Sequence, residues 1–336
     1  MFLNIQWLRA YAAIIVVFHH MGDHYVAAGG RWPLFQFIAQ WGFTGVDVFF
    51  VISGFIMAHT TMDKDRNWGN ALDFLRHRLF RIYLGYWPFF VAAILIVGHS
   101  TPQRLTEIDL VHSFFLTNAK DYQILIPAAW SLTYELYFYV IVFASFAIPK
   151  KASKYLFQVL FVAIVCRVIL WKIPVSRLEF FLSWNFVEFF SGMVIYIYTD
   201  YLCKKWILML SVASALALYG YGVYVNAQNN EIRIFTFGLG SACLVTAFVV
   251  AGRLNLFTTG HIAKSVGDAS FTLYLSHGLW IGLFYFSGLR EALGRQNKIV
   301  LEAGFWFSIL AIIASSVFLY RVMELPLYRA ALGRKK

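Results

Sequence analysis

The sequence predicts an all-α, polytopic membrane protein: a helical bundle of about ten transmembrane helices with both termini in the cytoplasm. Three observations lead there. First, 60% of the 336 residues are hydrophobic and 13% are charged, with a mean hydropathy of +0.65. Soluble domains run about 45–50% apolar and about 25% charged, so an ordinary soluble enzyme, a disordered chain and a disulfide scaffold are all excluded. Second, ten stretches approach the roughly 20 mostly apolar residues that a spanning helix needs. Third, the basic residues divide unevenly between alternate loops.

Taken in order, the first span, roughly 5–22, holds Arg9, His19 and His20. It has no basic segment ahead of it and no small-residue cleavage site, so it reads as a retained helix and not a signal peptide. The second, 37–59, contains Asp47 between Gly45 and Gly54, glycines that allow close helix approach. The third, 79–98, opens on the cationic segment FLRHRLFRIY (74–83). The stretch 104–119 is amphipathic and too short to span, and is expected on the membrane surface or folded against the bundle. Then follow 128–148 with Glu135, 154–171 with Arg167, 180–199 with Glu188, 206–224, 232–251, 265–287 with His277, and 299–321. No internal repeat, linker or low-complexity block is present. The expectation is one integral-membrane domain over 1–336 with a Lys/Arg-rich tail at about 322–336. Cys166, Cys203 and Cys243 have no metal or redox spacing.

The net charge of +11 and pI near 9.5 raise the question of nucleic acid. With both termini inside, 17 basic residues fall in inner loops and 9 in outer ones, Arg9 and Arg167 completing the 28. The outer set is Arg31, Arg104, Lys120, Lys172, Arg177, Arg233, Arg290, Arg295 and Lys298. This is the positive-inside pattern, and it accounts for the excess without nucleic acid.

Ionisable groups inside a bilayer are costly and mark candidate sites. Arg9 and His20 are eleven residues apart, about 20° from three full turns, so they share a helix face with a rise of roughly 16 Å. A snorkelling Arg with an interfacial His pair has the same pattern. Asp47 either caps its helix or pairs with a cation. Arg76, Arg78 and Arg81, with His77, suit a positive-inside anchor or a phosphate-bearing substrate. Glu135 lies among Trp130, Tyr134, Tyr137 and Tyr139 and needs an Arg or His partner. Glu188 and the SFTLYLSH segment ending at His277 repeat the theme.

Seven segments in order resemble blocks of the acyltransferase 3 family of membrane O-acyltransferases. They are NIQWLRAYAAIIVVFHH (4–20), GVDVFFVISGF (45–55), FLRHRLFRIY (74–83), WSLTYELYFY (130–139), EFFSG (188–192), SVGDASFTLYLSH (265–277) and MELP (323–326). The opening resembles most the branch that decorates bacterial exopolysaccharides. Its Arg-x10-His motif falls on Arg9 and His20. Two departures stand out: Leu84 replaces a Pro common after Arg-Ile-Tyr, and His19 precedes the motif histidine.

The resemblance implies transfer of an acyl group, usually acetyl, from cytoplasmic acetyl-CoA or another acyl-CoA to a hydroxyl of a glycan or lipid-linked saccharide. It places the protein in the bacterial cytoplasmic membrane among lipids. His20 is expected as general base or acyl carrier, with Glu135 and Asp47 supporting catalysis. Arg9, Arg78 and Arg81 are expected to meet the coenzyme phosphates. No permanently bound cofactor and no metal are expected, nor is a second catalytic domain of the hydrolase type that some relatives carry. Two other classes also need many spans and buried charge, a glycan-lipid flippase and a polysaccharide polymerase. Internal repeats would mark the first and large outer loops the second.

Overall fold

A computed structural model describes residues 3–117, 123–170, 183–229, 232–256 and 260–333. Among these every regular element is helical. The chain forms two compact units. One comprises Met1–Arg9, Thr44–Arg76 and Tyr137–Gly260; the other comprises Ala10–Phe43, His77–Leu136 and His261–Lys336. Lys120, Lys172 and Arg177 of the expected outer loops, and Arg334, Lys335 and Lys336 of the tail, lie outside the described residues.

The helices are α1 (Leu3–Ala27), α2 (Pro33–Trp41), α3 (Thr44–Thr61), α4 (Trp68–Ser100), α5 (Pro102–Glu107), α6 (Leu110–Phe115), α7 (Trp130–Ala144), α8 (Lys150–Leu170) and α9 (Asn185–Ile197). They continue with α10 (Thr199–Leu202), α11 (Lys205–Tyr224), α12 (Leu239–Arg253), α13 (His261–Asp268), α14 (Ser270–Phe286), α15 (Leu289–Gly294), α16 (Lys298–Leu319) and α17 (Leu325–Leu332). Among the described residues, six helical stretches are long and apolar enough to cross a membrane: Thr44–Thr61, Trp68–Ser100, Pro127–Ala147, Lys205–Tyr224, Ile234–Arg253 and Lys298–Leu332. The polar α1 has 25 residues, enough for roughly 37 Å of rise against a hydrocarbon core of about 30 Å.

Two expected spans are broken. The stretch 37–59 divides into α2 and α3 at Gly42–Phe43. There the backbone of α1 comes so close that a methyl group on Gly42 would stand 2.0 Å from the Ile15 carbonyl oxygen. The stretch 265–287 divides at Ala269, where α13 ends on a Lys264–Asp268 ion pair of 3.1 Å and α14 begins. Periodicity does not register such breaks, because apolar residues continue through them.

The first unit is built on the crossing of α3 and α9. Gly54 faces the backbone of Phe189, and Gly192 faces the backbone of Val51. The rings of Phe50 and Phe138 pack on Phe189 at 4.8 and 4.5 Å. In lipid, helices gain nothing from the hydrophobic effect on pairing, so this close backbone approach is itself the attraction. Helices α11 and α12 pair through a Tyr219–Ser241 hydroxyl bond of 2.7 Å. The amide of Asn4 donates to the Phe248 carbonyl at 3.3 Å and rests on Gly252.

In the second unit, Tyr25, Phe35, Phe284 and Phe305 form an aromatic core where α1, α2, α14 and α16 meet. Serines stitch α14 to α16, Ser276 to Ser316 at 2.9 Å. The segment after α4 folds back on that helix. Tyr86 donates to the Ser113 carbonyl at 2.8 Å and Trp87 to the Phe114 carbonyl at 3.3 Å. Asp109 caps α6 by accepting from the His112 backbone N–H at 3.0 Å, a bond that holds its carboxyl below the usual range.

Candidate active site

The second unit brings together two histidines from distant parts of the chain. His20 on α1 and His277 on α14 face each other with ring centroids 4.8 Å apart. One turn further along α1, His24 meets Phe284 and Tyr285, so α1 and α14 run in the same direction along this seam. The Nδ1 of His20 lies 3.0 Å from the Val16 carbonyl, and the Nδ1 of His277 lies 3.2 Å from the Leu273 carbonyl. A carbonyl only accepts, so both Nδ1 atoms carry the proton and both Nε2 atoms present a lone pair.

The two rings differ in access. His20 is exposed, whereas His277 is 1% exposed and its Nε2 has no partner among the described residues. His19 turns elsewhere: its Nδ1 meets the Ala39 carbonyl of α2 at 2.8 Å, with its ring against Phe43. Of the two adjacent histidines, only His20 pairs with another imidazole across the helix seam.

Tyr274 lies one turn before His277, with rings 6.0 Å apart. Its hydroxyl donates to the Ala128 carbonyl at 2.7 Å, so the Ser131 hydroxyl, 2.9 Å away, donates to it. Glu135 stands four residues after Ser131, on the same face of α7, and is half-buried. Arg78 and Arg81 are half-buried in the polar first half of α4, and Arg76 beside them is exposed. At 33 residues α4 has a rise of roughly 50 Å, longer than a hydrocarbon core of about 30 Å. Arg9 lies on α1, eleven residues before His20, and donates to Gln6 at 3.4 Å.

In the first unit Asp47 pairs with a cation, not with its own helix terminus. Its Oδ1 accepts from Arg233 at 2.7 Å, with side chains 1% and 22% exposed respectively. Arg233, expected in an outer loop, therefore faces inward. It sits where α12 is preceded by a π-helical turn, Ile234–Gly238, and such turns re-aim adjacent side chains. Glu188 of α9 joins the pair: it interacts with both Asp47 and Arg233, and it rests against Gly238. Among the described residues, the buried Asp47 Oδ2 and Glu188 Oε2 have no hydrogen-bond partner.

The sequence singled out His20, Asp47, Glu188 and His277, but it did not say which of them face one another, and it did not bring Arg233 to Asp47. An apolar segment ending in His and a lone Arg beside an apolar run were the available signals, and neither says what it faces.

The acyltransferase 3 family model, described as an acyltransferase domain, matches residues 2–321. The chain is 27% identical over 318 residues, 88% of its length and 92% of the relative's, to exopolysaccharide production protein ExoZ of Rhizobium meliloti (strain 1021). No solved structure gives a significant match. With a family match over nearly its whole length and, among the described residues, six helices long and apolar enough to cross a membrane, the chain belongs to the acyltransferase 3 family and is a multi-pass membrane protein.

Proposed function

We propose that the protein is an O-acyltransferase of the bacterial cytoplasmic membrane. It moves an acyl group, most simply acetyl, from cytoplasmic acyl-CoA to a hydroxyl of an exopolysaccharide or its lipid-linked precursor. The observation that carries this reading is His20: an accessible imidazole with its Nε2 lone pair free, on a helix of an acyltransferase-family membrane domain. The name of the Rhizobium relative, an exopolysaccharide production protein, supports the choice of acceptor.

His20 Nε2 removes the acceptor proton as the hydroxyl oxygen attacks the thioester carbonyl. The carbon–sulfur bond then breaks, and the proton passes to the departing thiolate. Arg9, Arg78 and Arg81 meet the coenzyme phosphates, since a guanidinium binds phosphate through paired N–H donors. The roughly 16 Å of α1 between Arg9 and His20 leaves room for an extended pantetheine arm. Glu135 holds the acceptor from α7, and the ion pair of Asp47 with Arg233 holds α3 against the chain entering α12.

The test is acetyl transfer from radiolabelled acetyl-CoA to glycan in membrane vesicles of the producing strain. His20→Ala is expected to abolish it, with the protein still folded by thermal-stability measurement. Full activity in that variant overturns the assignment.

A further inference from the structure

We infer that His24 and Tyr285 form the subsite that seats the acceptor sugar: the Nε2–H of His24 donates to an oxygen near the attacking hydroxyl, and so decides which hydroxyl reaches His20. The inference rests on the reading of His20 as the base and adds to it the recognition of one pyranose ring.

His24 follows His20 by four residues on α1, so it lies on the same face, about 6 Å further along. Both rings face α14, His20 toward His277 and His24 toward Phe284 and Tyr285. Their nitrogens are committed differently. The Nδ1 of His20 meets the Val16 carbonyl, which leaves its Nε2 with a lone pair. The Nδ1 of His24 is buried with no hydrogen-bond partner among the described residues, while the ring as a whole is half-buried, so Nε2 is the nitrogen open to a ligand. A buried N–H without an acceptor is rarer and costlier than a buried acceptor without a donor. The proton of the neutral ring therefore sits on Nε2, and His24 presents a donor.

Successive turns of one helix face thus carry an acceptor and a donor, spaced by roughly the reach of one sugar ring. A pyranose answers both: the attacking hydroxyl gives its proton to His20 while a second oxygen of the same ring accepts from His24.

Helix α14 supplies the surface on which the ring rests. Tyr285 lies 5.7 Å from His24, carries Arg290 over one face at 4.6 Å, and is still 40% exposed. Such a ring packs against the apolar C–H face of a sugar and leaves the sugar hydroxyls to the polar groups around it. Gly278, seven residues earlier on the same face of α14, would have nothing within 4 Å of an added methyl group, so no side chain fills the approach.

The level along the helices suits a saccharide. The charged neighbours of His24 are Arg290, Asp23 and Glu291; Asp23 and Glu291 are exposed, and Arg290 pairs with Glu291. Charges are costly in hydrocarbon, so this end of α1 and α14 stands in water or among headgroups. An interfacial aromatic belt accounts for an exposed tyrosine at this level, but not for a histidine whose inner nitrogen is left without a partner.

The test uses detergent-purified full-length protein, isotope-labelled acetyl-CoA, and oligosaccharide fragments cut from the unacylated exopolysaccharide of a deletion strain. His24→Leu is expected to raise the fragment KM by up to roughly 10-fold, the loss of one hydrogen bond, with the acetyl-CoA KM unchanged. The NMR spectrum of its product should show label spread over more than one hydroxyl. His24→Gln keeps an N–H donor and should retain both the fragment KM and the choice of hydroxyl. Tyr285→Leu should raise the fragment KM, and Tyr285→Phe, which keeps the ring, should not.

A wild-type fragment KM with an unchanged choice of hydroxyl in His24→Leu overturns the inference. So does a wild-type protein that neither acetylates the fragments nor binds them in saturation-transfer NMR. If His24→Leu does not fold, the Tyr285 pair decides, and equal fragment KM values for Tyr285→Leu and Tyr285→Phe overturn it. Inactive His20→Ala beside His24 and Tyr285 variants that match wild type leaves His20 as the base and removes the subsite; active His20→Ala removes both.

Discussion

Gly54→Ala probes the crossing on which the first unit is built. The new methyl carbon would stand 1.8 Å from the Phe189 carbonyl oxygen, 2.6 Å from its carbonyl carbon and 2.9 Å from its Cα. These are backbone atoms of α9 and cannot rotate aside. Ordinary contact begins at 3.4 Å, so α3 and α9 must separate by about 1.6 Å along that line. A radial gap of about 0.5–1 Å already forfeits a quarter to a half of a dispersion contact, and in lipid no hydrophobic gain replaces it. The cost belongs at the upper end of overpacking, about 3 kcal/mol. At about 2–4 °C per kcal/mol this is a fall of roughly 6–12 °C in Tm.

Heating detergent-purified protein and following the folded fraction by size-exclusion fluorescence measures it. Gly192 meets Val51 across the same crossing at 1.9 Å, so the double variant with Gly192→Ala should lose less than the sum of the singles. Gly220→Ala on α11 meets nothing within 4 Å and should be neutral, or stabilising by up to about 1 kcal/mol. Gly54→Ala melting within about 1 °C of wild type, or strict additivity in the double variant, would refute the close-crossing account.

Arg233→Ala should cost about 3–5 kcal/mol in thermal stability by stranding a buried Asp47 carboxylate. Replacing both partners with apolar residues, Asp47→Leu with Arg233→Met, should recover most of it. Arg78→Gln is expected to raise the apparent acetyl-CoA KM by roughly 10-fold, the loss of one charged hydrogen bond. Arg104→Gln, in the segment after α4, should leave that KM unchanged; equal effects would remove the coenzyme contact from α4. Tyr274→Phe should lose about 1–3 kcal/mol of stability by leaving the Ala128 carbonyl and Ser131 with poorer partners, with no change in donor KM.

The legible part of this protein is the local part. The helical class follows from apolar run lengths, and Gly54 was singled out as a close-approach residue because only glycine permits backbone contact. That Arg9 and His20 share one helix follows from the continuous apolar run between them. The breaks at Gly42 and Ala269 were not legible. Each depends on what packs against the helix, or on where an ion pair ends it, and the apolar pattern runs on regardless. Arg233 was misplaced for a related reason: one arginine at the edge of an apolar run looks the same whether it faces water or a buried carboxylate.

Composition and periodicity by themselves determined that the chain is a multi-span helical membrane protein and which few polar residues stand in the wrong solvent. They do so because the cost of burying a charge in lipid depends on the residue and its immediate neighbours. Only the tertiary structure decided the partners: Arg233 and Glu188 for Asp47, 186 residues separating the ion pair, and His277 for His20. A contact across that much chain is chosen by how helices pack, and packing is a property of surfaces that no single helix carries.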